Sequence, residues 1–149
     1  MNPAALLPVL LVLGAGGMIA MQAPTNAMLA RAGGSPVLAA LISFAVGTVA
    51  LLIVWLLGGN RPGTGAFASL RWYAWLGGLY GATYVAVAAY AAPRIGLASL
   101  ITIGIAGQIA MALWLDQSGA FGLPREPINF GRIAGALLVI AGVVLVRRS

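Results

Sequence analysis

Three carboxamides, Gln22, Asn26 and Gln108, sit inside long apolar runs of this sequence. Each offers hydrogen-bond donors and an acceptor without a fixed charge. Gln22 and Asn26 are four residues apart, so on a helix they share a face, one above the other. Between them stands Pro24, which has no N–H and leaves the carbonyl of Ala20 without its helical donor. The stretch Met18 to Pro36, MIAMQAPTNAMLARAGGSP, is therefore expected to hold a bent or broken helix lined by amides. Hydrocarbon cannot satisfy such groups, so they should face protein or a water-filled cavity. Gln22 and Asn26 become candidate contacts for a polar solute. The alternative is that they only bond neighbouring helices.

Other groups able to do chemistry are few. Tyr80 and Tyr84 share a helical face, with Thr83 beside Tyr84. They offer rings and hydroxyls to an organic substrate, or equally packing plus one internal hydrogen bond. Gln108 is flanked by Gly104 and Gly107, and Ser99 and Thr102 continue the mild polarity. Asp116 and Glu126 are the two acids of the chain. A buried acid would be a proton or cation handle, which makes Asp116 the candidate for coupling or gating. Its neighbours Gln117, Ser118 and Gly119 look like a solvated turn, where it would instead cap or pair with an arginine. There is no Cys and no His, so disulfides, thiol chemistry and His/Cys metal sites are absent, and no cofactor is implied. Enzyme activity is not expected.

The elements that must hold these groups follow from composition. Of 149 residues, 62% are hydrophobic and 7% charged, and the mean hydropathy is +1.04. A soluble domain carries roughly 25% charged residues. The solvent for this chain is lipid. The net charge of +6 comes from eight arginines spread between apolar runs. That spacing suits headgroup anchoring and not nucleic-acid binding.

Five apolar runs predict five transmembrane helices, an all-α integral membrane protein in one domain. The first covers about Pro3 to Leu29. It lacks the basic leader of a signal peptide and is long, so it reads as a retained span. Gly33-Gly34-Ser35-Pro36 would close one helix and start the next. The second span is Pro36 to Leu57, and the third about Trp72 to Ala92, preceded by the interfacial cluster Arg71, Trp72, Tyr73 and Trp75. Pro93, Arg94 and Gly96 form a short turn before the fourth, Leu97 to Leu115. The loop from Asp116 to Asn129 leads to the fifth, Phe130 to Val146, where Arg132 must reach the headgroups. Gly77-x-x-x-Gly81 and Gly131-x-x-x-Gly135, the latter continued by Gly142, permit close helix approach within one chain or between two.

Five spans put the termini on opposite sides. Arg61, Arg71, Arg125 and Arg132 then face the N-terminal side, and Arg31, Arg94, Arg147 and Arg148 the other. The tie carries no orientation signal. It suits a chain inserted both ways and paired with an inverted copy of itself. Transporter folds are often built from two inverted repeats around a midplane site. No internal repeat is evident here, so one chain would supply half of such a structure.

The pattern Gln22-x-x-x-Asn26, Gly34-Ser35-Pro36, Ala106-Gly107-Gln108 and Asp116-x-x-Gly119-x-x-Gly122 resembles the YdcZ-type family of the drug/metabolite transporter superfamily. Gln117 stands where members often carry His. The resemblance covers nearly the whole chain. It implies multi-pass proteins of the bacterial inner membrane with five helices, each half of a ten-helix inverted-repeat transporter, found as fused pairs, paralogous pairs or single chains. A secondary transporter of a small organic solute, acting as a homodimer or with a paralogous partner in the lipid bilayer, is the reading this favours. A small-ion channel and a non-transporting membrane assembly partner are the alternatives. The expected solute path is Gln22, Asn26, Tyr84 and Gln108.

Overall fold

The computed structural model describes residues 3–59 and 61–148. Every regular element among them is helical: α1 (Pro3–Gly33), α2 (Pro36–Gly58), α3 (Gly77–Ile95), α4 (Leu97–Ser118) and α5 (Phe130–Arg148). A 3-10 turn, Trp72–Leu76, precedes α3, and another, Ala120–Gly122, follows α4. Three helices are long and apolar enough to cross a membrane, over Leu6–Gly33, Pro36–Gly58 and Leu97–Ser118. Phe130–Val146 is a shorter apolar helix. Glycines, Thr83 and three tyrosines dilute the apolar character of α3, which is not among the three.

The helix boundaries follow local chemistry. Gly34 takes φ 71°, a left-handed turn that a side chain would resist. Ser35 then caps α2, its Oγ accepting from the Leu38 N–H at 3.2 Å, and Pro36 occupies the first turn. Gly59 ends the helix in the left-handed region. Two expectations need correction. The third run opens as a 3-10 turn and becomes α-helical only at Gly77. The helix then passes through Pro93 to Ile95, and Gly96 alone makes the turn to α4, at φ 81°.

A larger correction concerns α1, which runs unbroken through Pro24. The proline leaves the Ala20 carbonyl without its donor, and the Thr25 hydroxyl does not replace it: its single proton is shared between the carbonyls of Met21 (3.1 Å) and Gln22 (2.9 Å). Pro8 and Pro24 both lie inside this helix of 31 residues, and neither stops it.

The chain divides into two compact units, Met1–Arg94 and Ile95–Ser149. In the first, α1 packs on α2, and the buried side chains are mostly alanine: Ala23 and Ala27 on α1, Ala39 and Ala40 on α2, and Ala88, Ala89 and Ala92 with Val85 on α3. Small side chains let backbones approach, the way helices associate in lipid where no hydrophobic drive exists. Gly81 of α3 belongs to this packing, because a Cβ there would stand 3.0 Å from Phe44 Cζ of α2. In the second unit α4 packs on α5. Neither Gly135 nor Gly142 has a heavy atom within 4 Å of where a Cβ would be.

Candidate functional site

Asn26 is the buried polar residue among those described. It is 3% exposed, set between Ala23 and Ala27 in the alanine seam. Its Nδ2 finds no hydrogen-bond partner. A buried unmet donor costs roughly 1–3 kcal/mol, so Asn26 is a strained group and not glue between helices in this conformation.

One turn back on the same face, Gln22 lines a cavity of ≈180 Å³ between α1 and α2. The opposite wall carries Ser43, Phe44, Gly47, Thr48 and Leu51. Gln22 thus faces two hydroxyls, with Gly47 leaving room. Its depth follows from helix rise. At ~1.5 Å per residue, Gln22 lies ~14 Å from Arg31 along α1, and Thr48 ~18 Å from Pro36 along α2. Half of a hydrocarbon core is ~15 Å. A mostly apolar recess at that depth, with one amide and two hydroxyl-bearing residues on its walls, offers a small solute both apolar contact and hydrogen-bonding groups.

The other expected residues are not gathered here. Tyr84 belongs to the same unit but stands 37% exposed on α3 and lines neither this cavity nor the groove between α2 and α3. The Thr83 hydroxyl is spent on the Leu79 carbonyl at 2.9 Å. Gln108 lies on an exposed face of α4, in the other unit. Ser43 and Thr48 were missed. Hydroxyls five apart around Gly47 in the most apolar helix were the available signal, masked because such residues commonly bond their own backbone.

Asp116 has a different setting. It lies in the last turn of α4, half-buried, and its Oδ2 accepts from Arg132 Nη1 at 3.0 Å. Arg132 also reaches Glu126, its Nη2 at 3.5 Å from Oε2 and its Nη1 at 3.4 Å from the carbonyl. So Arg132 holds both carboxylates of the chain and does not depend on headgroups for its charge partner. The Glu126 N–H donates to the Asp116 carbonyl at 2.8 Å. Gln117 completes the corner. Its Oε1 accepts from the Ile128 N–H at 2.7 Å, and its carbonyl from Arg125 Nε at 2.8 Å. Gly119 closes α4 in the left-handed region, its N–H on the Leu115 carbonyl. This is a stapled helix end, with every named group paired.

A family model described as "Putative inner membrane exporter, YdcZ" matches residues 7–145. The chain belongs to the YdcZ family. It is 31% identical over 112 residues to Inner membrane protein YdcZ of Escherichia coli (strain K12), covering 74% of each chain. No solved structure matches it. The protein is accordingly a multi-pass protein of the bacterial inner membrane, in a family of described exporters and not of enzymes.

Proposed function

We propose that this protein is a secondary transporter of a small organic solute, and that two chains, antiparallel in the membrane, form one site near the midplane. Five helices would cross the membrane, α3 and α5 included, each chain being half of a ten-helix transporter. The observation that carries the reading is the buried, unpartnered Nδ2 of Asn26 one turn from the cavity lined by Gln22, Ser43 and Thr48. A donor held without a partner at membrane depth is costly, and a solute's acceptor would relieve it. The cavity has no charged wall, so a neutral or singly charged solute fits it better than a polyvalent ion.

Tyr84 and Gln108 enter as groups a second chain would cover. Both are exposed on a single chain, and polar side chains facing lipid turn to a partner where they can. The open faces at Gly135 and Gly142 offer α5 for close approach by that chain. Asp116 would act as a gate, since parting it from Arg132 frees the α4 end from α5. The balanced arginines support insertion in both orientations.

Counterflow in proteoliposomes, with a panel of neutral and singly charged organic solutes, tests the reading. Saturable exchange that Gln22→Ala cuts about tenfold is the expected outcome. A large unsaturating current would mean a channel, and silence across the panel a non-transporting assembly partner. Reporter tags on each terminus should show both orientations, and one fixed orientation would refute the antiparallel homodimer.

A further inference from the structure

Two concave regions follow one another along α3 in the first unit, the inner one against α2 and the outer one against the end of α1, and they differ in chemistry. The inner part, ≈470 Å³, is lined by Val37, Ala40, Leu41 and Phe44 of α2 and by Ala82, Thr83, Ala86 and Val87 of α3. It is apolar throughout, because the one hydroxyl, of Thr83, is bonded to its own helix. The outer part, ≈270 Å³, lies between Ala89, Tyr90, Pro93 and Arg94 of α3 and Ala27, Ala30 and Arg31 of α1, with Gly34 and Pro36 at its edge. Along α3 the steps 83, 87, 90, 94 alternate four and three residues, so both parts occupy one helical face. Phe44, packed against Gly81, closes the inner end.

The outer part carries two guanidiniums and no carboxylate. Arg94 stacks on the Tyr90 ring, its Cζ 3.7 Å from the centroid, and donates to the Tyr90 carbonyl. Most of its five N–H donors stay free. Arg31 makes no ion pair among the described residues, and its unit contains neither Asp nor Glu. Both arginines lie in the last turns of their helices, α1 and α3. The groove reaches ~12 Å inward along α2 and ~18 Å along α3, at ~1.5 Å per residue. One leaflet of hydrocarbon is ~15 Å deep.

We infer that this groove is a binding site for an anionic diacyl phospholipid, its phosphate on Arg31 and Arg94 and an acyl chain lying against Ala86 and Val87 down to Phe44. A soluble anion would leave the apolar part unfilled. A second copy of the chain would bring no countercharge, because its two acids are both held by its own Arg132. The phospholipid alone matches the charge at one end and the leaflet-deep apolar length at the other. Phe44 is the one residue that lines both this site and the solute cavity.

Lipid retention on the purified full chain, read by native mass spectrometry, tests this with phosphatidylglycerol against phosphatidylcholine of identical chains. The site predicts a preference for phosphatidylglycerol that falls about fivefold with each of Arg31→Gln and Arg94→Gln, from the attraction per basic residue near anionic headgroups. Arg31→Lys and Arg94→Lys should keep most of it, which separates lost charge from misfolding. Val87→Trp, at the exposed edge of the groove, should lower retention of both lipids, and glycerol phosphate should not compete. Equal retention of the two lipids, or a preference unchanged by both Gln variants, would overturn the assignment. So would competition by glycerol phosphate, which means a soluble-anion site. A Val87→Trp variant that breaks an oligomer while retaining phosphatidylglycerol would give the groove to a second copy.

Discussion

At the α4–α5 corner the carboxylates of Asp116 and Glu126 both meet Arg132, whereas in the alanine seam the Nδ2 of Asn26 has no hydrogen-bond partner among the described residues. The corner is partly exposed, with Arg132 and Asp116 at 31% and 37%, so water could have satisfied it and protein does so anyway. The seam excludes water and leaves a donor empty. Buried polar groups are nearly always paired, so an exception calls for an explanation, whereas exposed ion pairs contribute little to stability. The same contrast separates the two positions that stood out as polar in the sequence. Asp116 and Gln117 hold a turn together, while Asn26 stores an unmet interaction.

The comparison can be broken at either end. The largest effect is expected at the cavity. Gln22→Ala should cut saturable solute exchange by about tenfold, one hydrogen bond's worth near the upper end of its range. Stability should hold, because Gln22 makes no side-chain hydrogen bond among the described residues. Thermal unfolding and counterflow on the same preparation check both halves. At the corner, Gln117→Ala should cost ~1 kcal/mol of stability, since the Ile128 N–H loses its acceptor, while exchange stays within about twofold. Arg132→Met should cost less, ~0.5 kcal/mol, because exposed ion pairs are screened. Its cost should shrink further at high salt, and an unfolding midpoint that ignores salt would show the pair to be inert.

The smallest effects come from glycine. Gly135→Ala should leave a single chain as stable or gain up to ~1 kcal/mol of helix propensity, because nothing stands near its Cβ. Gly81→Ala should gain less, since Phe44 must yield into the neighbouring groove. If Gly135→Ala weakens a dimer measured by sedimentation, α5 is where the second chain docks. If it destabilises the monomer, the open face is wrong.

Five helices were legible, and the α1–α2 junction with them, because Gly34, Ser35 and Pro36 act within a few residues of themselves, whereas the start of α3 at Gly77 and its run past Pro93 were not. The amide pair on α1 was legible for the same reason, a spacing of four on one helix. What crossed between elements was hidden. Nothing local told that Arg132 would find Asp116 sixteen residues back. Ser43 and Thr48 needed α2 turned toward Gln22 before their hydroxyls meant anything. Tyr84 drew attention as a ring at membrane depth, yet the direction of its face was a matter of tertiary packing.

The most direct measurement is the affinity of Asn26→Ala for the solute that counterflow selects, taken beside its unfolding midpoint. Removing an unpaired buried donor removes a penalty, so the variant should unfold at the wild-type midpoint or above it while binding falls tenfold or more. If binding is unchanged, or falls only as far as the folded fraction does, Asn26 is packing and the site lies elsewhere.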